Sequence, residues 1–158
     1  MGWTKRCGWP RLSRLLRDPV RVLALDLGSK RIGVAVSDLS GTIATPLIVL
    51  QRSGRVRLDH ERIKALVDEE EAVLVVVGLP LSMNGSYGPA AKAAIAEADA
   101  LATVVGVPVE TFDERRTTVT ADAILLQRGM RGQDRRKVID KVAAAVILQT
   151  WLDGRDRR

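Results

Sequence analysis

Residues 22–38 read VLALDLGSKRIGVAVSD, and this stretch decides the fold. Two apolar segments, at about 21–27 and 32–37, flank the short segment Gly28-Ser29-Lys30, which predicts two strands joined by a tight turn. Asp26 lies inside the first apolar segment. A carboxylate in such a strand costs stability through desolvation unless a metal ion or a base compensates its charge. We therefore predict that Asp26 faces an anionic ligand or a metal; the alternative is a buried Asp that braces the turn.

The rest of the chain alternates between strand and helix patterns. A third strand is predicted at about 43–50, so the chain opens with a three-stranded antiparallel meander. The later segments are predicted as strands at 72–77 and 109–112 and as helices at 57–70, 89–105, 118–128 and 138–152. This order predicts an α/β fold with a five-stranded mixed sheet and helices on both faces.

Composition limits the class of protein. With 158 residues and 46% hydrophobic residues the chain can bury one core, and no apolar run is long enough for a membrane span. One Cys and one His exclude an internal disulfide framework and a multi-histidine zinc site. Aromatic residues make up only 3%, which argues against binding single strands mainly by base stacking.

The net charge of +6 is concentrated at the N-terminus, where residues 1–21 hold six basic residues and one acidic residue. We interpret residues 1–19 as a basic, disordered extension or the product of a mis-set start site; an arm that touches phosphates is the alternative. The segment lacks the apolar core of a secretory signal. The folded domain is predicted at 20–153, followed by a charged tail at 154–158.

Two further acids are candidates to join Asp26. Glu114 follows a predicted strand end, where sites form in α/β sheets. Asp140 heads a helix face that continues with Ala143, Ala144 and Ile147, so it is predicted to point toward the sheet. Three oxygen ligands suit Mg²⁺ or Mn²⁺, and a pair of such ions can activate water against a phosphodiester. Taken singly, Glu114 and Asp140 are also explained as acids near a helix N-terminus.

Basic and polar residues near these acids are candidate substrate contacts. Those predicted to hold phosphates next to the acids are Lys30, Arg31, Arg115 and Arg116, and salt bridges that keep the acids ionised are the alternative. A basic loop at 129–137 is predicted to close on a nucleic acid backbone, with a solvated linker as the alternative; its candidate contacts are Arg131, Arg135 and Arg136. Asn84 is predicted to bring its loop near substrate or to form a simple turn. His60 and the charges of 57–71 are expected to face solvent.

Four motifs in order carry a family resemblance: LDLG at 25–28 with RIGVA at 31–35, GLP at 78–80 followed by Asn84-Gly85, DER at 113–115 with Thr117, and IDKVAA at 139–144. Together they resemble the YqgF/RuvX family of ribonuclease-H-like nucleases over about residues 20–153. The resemblance implies a ribonuclease H-like fold, a bacterial cytoplasmic location, maturation of the pre-16S rRNA 5′ end, and similarity to Holliday junction resolvases. It also implies that Asp26, Glu114 and Asp140 are the catalytic and metal-binding acids, and that Thr117 belongs to the site. The basic N-terminal arm is a departure, since the family does not require it.

We therefore predict a metal-dependent nuclease that cuts structured RNA or branched DNA. By family analogy, water attacks phosphorus in line and leaves 5′-phosphate and 3′-hydroxyl ends. One alternative is an ATPase of the actin, sugar-kinase and Hsp70 type, although those proteins need two such domains. Another is a non-catalytic binding module in ribosome assembly or transcription. RNA and DNA both remain open as substrate, and a resolvase acting on two strands would favour a two-fold homodimer.

Overall fold

The computed structural model of this protein describes residues 19–115 and 132–155, with the side chains of the second range described from Val142 onward. The strands are β1 (Arg21–Leu27), β2 (Arg31–Ser37), β3 (Ala44–Gln51), β4 (Ala72–Leu79) and β5 (Val109–Asp113). The helices are α1 (Val56–Glu69), α2 (Pro89–Val105) and α3 (Gly132–Arg155). Each described strand lies within two residues of its predicted bounds.

The five strands form one mixed sheet in the order β3-β2-β1-β4-β5. β1 pairs antiparallel with β2, and β2 pairs antiparallel with β3, which confirms the predicted meander. β4 is parallel to β1, and β5 is parallel to β4. The carboxyl ends of β1, β4 and β5 therefore meet at one edge of the sheet, which is where α/β folds build their sites.

Two apolar layers cover the sheet, one on each face. On the first face, Leu25 and Val75 pack with Ile63 of α1 and Leu101 of α2. On the second face, the neighbouring strand positions pack against α3, and this cluster includes Val22, Ala24, Leu74, Val76, Ile147 and Leu148. Successive strand side chains alternate between faces, so each central strand supplies both layers. The prediction of helices on both faces is confirmed.

The last helix begins earlier than predicted. α3 starts at Gly132, whereas a basic loop was predicted at 129–137 and a helix only from residue 138. The prediction was wrong because residues 133–137 lack apolar periodicity, although Gln, Arg and Lys are good helix formers. Arg135 and Arg136 thus belong to a helix and not to a loop. The predicted helix at 118–128, Arg131, and residues 1–18 and 156–158 of the predicted ends lie outside the described residues.

The prediction that His60 and the charges of 57–71 face solvent is confirmed for most of the charges, such as Arg57 and Glu61, but it was wrong for Asp59 and His60. Asp59 and His60 are both 2% exposed. Glu97 of α2 lies 3.2 Å from Nε2 of His60, and Asp59 accepts a hydrogen bond from the Ser53 amide. Charged and polar side chains can be buried when such partners are present. Glu97 lies 37 residues from His60 in sequence, and Ser53 lies in the segment before α1.

Within the part of the chain that the structure describes, no helix is both long enough and apolar enough to cross a bilayer.

Candidate active site

On the sheet face that α3 covers, residues at the carboxyl ends of β1, β4 and β5 lie side by side. Val22 and Ala24 of β1 belong to the α3-side layer, and Asp26 is the next position of that row. On β4 the row of Leu74 and Val76 is continued by Gly78. The carboxyl edge of the sheet therefore carries an acid on β1 beside a glycine on β4.

Glu114 extends the same row on β5, since Phe112 packs against the α3-side layer two positions earlier. The Glu114 amide donates a hydrogen bond to the Leu79 carbonyl, 3.1 Å away, which holds the residue against the end of β4. Phe112 pairs with Gly78 in the parallel register. Asp26 on β1 and Glu114 directly after β5 thus lie on either side of Gly78 in β4.

The missing side chain of Gly78 makes room for the Glu114 carboxylate. A Cβ at Gly78 would overlap the Glu114 Oε1 atom and would lie 2.8 Å from the carboxyl carbon. It would also lie 2.6 Å from Cδ1 of Ile147 in α3. The carboxylate therefore lies directly over the β4 backbone. From sequence, Gly78 was predicted only as part of the segment that ends a strand. Its position opposite an acid becomes evident only from the register between β4 and β5.

The two acids influence each other electrostatically. Burial, together with the negative charges of Asp26 and Asp113, raises the pKa of Glu114 to about 7. A cation at this position would oppose this increase in pKa, because it would favour the ionised form of Glu114. Among the side chains that the structure describes, no group of three His, Cys, Asp or Glu residues is arranged to hold a metal ion. The Asp140 side chain is outside that set, so the structure brings together two of the three predicted acids.

Contacts of three α3 residues fix the direction of the helix across the sheet. Gln149 accepts a hydrogen bond from the Ala44 amide and donates one to the Thr42 carbonyl, both at 2.9 Å. Trp151 Nε1 donates to Glu110 Oε1 of β5 at 3.3 Å, whereas Ile147 approaches Gly78 at the strand end. The helix therefore runs from the carboxyl edge of β4 and β5 toward their amino ends.

The turn between β1 and β2 is compact. The Gly28 amide donates to the Asp26 carbonyl at 3.1 Å, and a Cβ at Gly28 would lie only 2.6 Å from the Arg31 carbonyl oxygen. Only glycine fits this close approach. Lys30 is exposed and Arg31 is half-buried, so the turn carries both predicted phosphate contacts within five residues of Asp26.

Arg115 and Asn84 lie at the same edge of the sheet. The Arg115 guanidinium bonds both carboxylate oxygens of Asp113, with a shortest distance of 2.6 Å. A Cβ at Gly85 would lie 3.1 Å from Arg115 Nη1, so the loop of Asn84 passes against this guanidinium.

The Asn84 side chain accepts a hydrogen bond from the Ser86 amide at 3.0 Å, as the turn interpretation requires. Of the remaining candidate contacts, the following are outside the described residues or side chains: Arg116, Thr117, Arg131, Arg135 and Arg136.

Comparisons with known proteins identify the family of this chain. The family model of RuvX, described as a Holliday junction resolvase, matches residues 20–154. A protein of Pelotomaculum thermopropionicum, named "Putative pre-16S rRNA nuclease", is 47% identical over 141 residues, which cover 88% of this chain and 92% of the relative. A protein of Mycobacterium leprae with the same name is 49% identical over 147 residues, covering 91% of this chain and 79% of the relative.

Solved structures agree with the fold assignment. Thermus thermophilus RuvC in complex with a Holliday junction substrate aligns with a TM-score of 0.55 at 19% identity, covering 87% of this chain and 96% of that one. At this identity the likeness shows the shared ribonuclease H-like fold. Together with the family match and the identities to the two relatives, it confirms the predicted resemblance and the predicted nuclease class. The chain belongs to the RuvX family of Holliday junction resolvases.

Proposed function

We propose that this protein is a metal-dependent endonuclease that hydrolyses phosphodiester bonds of structured nucleic acid within a domain spanning residues 20–153. The observation that carries the proposal is the placement of Glu114 over Gly78 beside Asp26. Two carboxylates at the carboxyl edge of a sheet, one of them largely desolvated, are costly for stability in the absence of a ligand. Such an arrangement is typical of functional sites.

Asp140 is proposed as the third acid. It lies in α3 seven residues before Ile147, which is two helical turns and about 10 Å along the axis. Because α3 runs away from the carboxyl edge after Ile147, the preceding turns extend toward and beyond that edge. Helical spacing also places residues 140, 144, 147 and 151 on one face, and the last three are buried against the sheet. These features support a shared site for Asp26, Glu114 and Asp140.

The donor set fits Mg²⁺ or Mn²⁺, because all three proposed ligands are carboxylates. A bound divalent cation would supply positive charge that activates water and stabilises the leaving oxygen. The protein contributes the fixed position of the carboxylates and the cations beside them. Lys30 and Arg31 on the β1–β2 turn, and Arg115 after β5, are proposed to orient the phosphates that flank the scissile bond.

We propose pre-16S rRNA as the substrate, because both relatives at 47–49% identity are named "Putative pre-16S rRNA nuclease". Cleavage at its 5′ end in the cytoplasm is what the family resemblance adds to this proposal. A four-way DNA junction is the second candidate, which the description of the family supports. A junction has two symmetric strands to cut, so this second function would require a two-fold homodimer.

The test offers purified full-length protein a pre-16S precursor and a synthetic four-way junction in parallel, with Mg²⁺, Mn²⁺ or chelator. The expected result is metal-dependent cleavage that is lost in the Asp26→Asn, Glu114→Gln and Asp140→Asn variants. Asp38→Asn is the matched control, because Asp38 is an acid at the opposite edge of the sheet whose Oδ1 accepts amide hydrogen bonds from Thr42 and Ile43. Cleavage that survives chelation, or that Asp26→Asn retains, would refute the proposal.

Two further experiments discriminate between the other classes of protein. If the protein is a binding module, cells that carry the Asp26→Asn variant should assemble ribosomes as well as cells that carry the wild type. An ATPase should show turnover of ATP that the chelator stops. Either result in the absence of nucleic acid cleavage would replace the nuclease proposal.

A further inference from the structure

Arg52, the first residue after β3, contacts the turn between β1 and β2 at two points. Its side-chain Nε donates a hydrogen bond to the Gly28 carbonyl at 3.0 Å. Its backbone amide donates to the Lys30 carbonyl at 2.9 Å. Arg52 therefore holds the first and the last residue of the turn Gly28–Lys30, which follows Asp26 and Leu27.

The Arg52 guanidinium is itself held by Glu97 of α2, which also contacts His60 of α1. Its two terminal nitrogens bond the two carboxylate oxygens of Glu97 in α2, at 2.6 and 3.0 Å. Glu97 Oε1 also lies 3.2 Å from Nε2 of His60 in α1. The three side chains are only 16%, 17% and 3% exposed. A bidentate pair with this little access to water has a well-defined geometry.

The backbone on either side of Arg52 is also fixed by α1. The Ser53 amide donates to Asp59 Oδ1 at 3.0 Å, and Arg62 Nη1 donates to the Gln51 carbonyl at 2.8 Å. Neither of these contacts reaches the turn. The end of β3 is thus anchored by α1 independently of the contact between Arg52 and Gly28.

We propose that Arg52 is a positioning residue for the hydrolytic site, which holds the Gly28–Lys30 turn so that Lys30 and Arg31 face the phosphates beside Asp26. This inference rests on the proposed function. The contacts from Arg52 to the turn are made to the backbone carbonyls of Gly28 and Lys30, so it acts through the backbone of the turn. Misplacement of a positioning group by about 1 Å can lower a rate by about a hundredfold, so a loosened turn should affect catalysis more than folding.

The test compares Arg52→Met with Arg62→Met. Each change removes an arginine side chain that donates a hydrogen bond to a backbone carbonyl. The acceptor of Arg52 is Gly28 in the turn, whereas the acceptor of Arg62 is Gln51 at the end of β3. We expect Arg52→Met to lower kcat/KM on a pre-16S precursor between about tenfold and a hundredfold, mainly through kcat. Amide hydrogen exchange in residues 26–31 should become faster in this variant. Arg62→Met should leave both quantities near the wild-type values.

Arg52→Lys provides a second variant if Arg52→Met does not fold. A lysine ammonium lacks the planar fork and cannot reproduce the bond to Gly28 together with the bidentate pair to Glu97. It should therefore also speed exchange in the turn and lower kcat/KM. Wild-type kcat/KM in both Arg52 variants, with Asp26→Asn inactive, would overturn this inference alone. Absence of cleavage by the wild-type protein would overturn the proposed function and this role together.

Discussion

Replacing Glu114 by Gln should stabilise the metal-free protein above neutral pH. The Glu114 carboxylate is largely buried over Gly78 and lies close to Asp26, so its ionised form is disfavoured in the folded state. Glutamine has nearly the same shape and carries no charge at any pH. The substitution therefore removes the cost of ionisation and keeps a side chain of the same size over Gly78.

The magnitude follows from the pKa of Glu114, which rises from 4.5 to about 7 on folding. One pKa unit corresponds to about 1.4 kcal/mol, so the full shift would correspond to about 3 kcal/mol. The carboxylate retains some contact with water, which screens the interaction and lowers the expected value to about 1–3 kcal/mol. Because the folded protein keeps its proton to higher pH than the unfolded chain, wild-type stability falls as pH rises from 4.5 to about 7.

The assay is urea unfolding monitored by circular dichroism, in chelator, at pH values from about 4 to 8. The free energies of unfolding of wild type and Glu114→Gln should nearly agree at the acidic end and separate progressively up to about pH 7. In an Asp26→Asn background the separation should be smaller, because one source of negative charge is gone. A difference between the two proteins that does not change with pH would refute the electrostatic reasoning, and a larger stability for wild type at pH 8 would reverse it.

Three further predictions concern packing, metal and acid. Gly78→Ala should lower the free energy of unfolding by about 1–3 kcal/mol and abolish cleavage, because the added methyl group would overlap Glu114 and Ile147. Gly154→Ala is the control, because a Cβ at Gly154 would meet nothing within 4 Å. This variant should leave the thermal midpoint unchanged or slightly raised. Saturating Mg²⁺ should raise the thermal midpoint of wild type but not of Asp26→Asn, since a ligand that binds only the folded state stabilises it by about 1–3 kcal/mol; equal shifts in both proteins would argue against a site at Asp26. Burial opposes ionisation of Glu97, but its bonds and charge interactions with Arg52 and His60 outweigh this and lower its pKa. Its contribution to stability should therefore be lost as pH falls below 4.5, and Glu97→Gln should weaken that dependence in urea titrations.

Much of the fold could be predicted because the local patterns agree with the tertiary structure. The apolar run at 72–77 is buried on both faces, as a central parallel strand requires. Pro89 at the first turn and Gly106 with φ of 73° mark the two ends of α2 as their positions in sequence suggested. In these segments the sequence signal depends on residues within one element.

The features that the sequence did not reveal depend on residues from different elements. His60 and Asp59 look like part of a solvated helix face until Glu97, Arg52 and Ser53 are placed beside them. Gly78 looks like a strand end until Glu114 lies over it. The membership of Asp26 and Glu114 in one site was predicted from their strand ends and from the family motifs, while Asp140 remains a prediction.

The separation of these acids along the chain has a consequence for synthesis on the ribosome. Asp26 belongs to β1 and Glu114 directly follows β5, the last strand along the chain in the described sheet, and α3 can cover them only after both have been made. A nascent chain that has completed the meander and α1 has one acid and no covering helix. The proposed site is therefore complete only when the C-terminal portion of the polypeptide has been made, so we expect no cleavage of ribosomal RNA by the nascent chain.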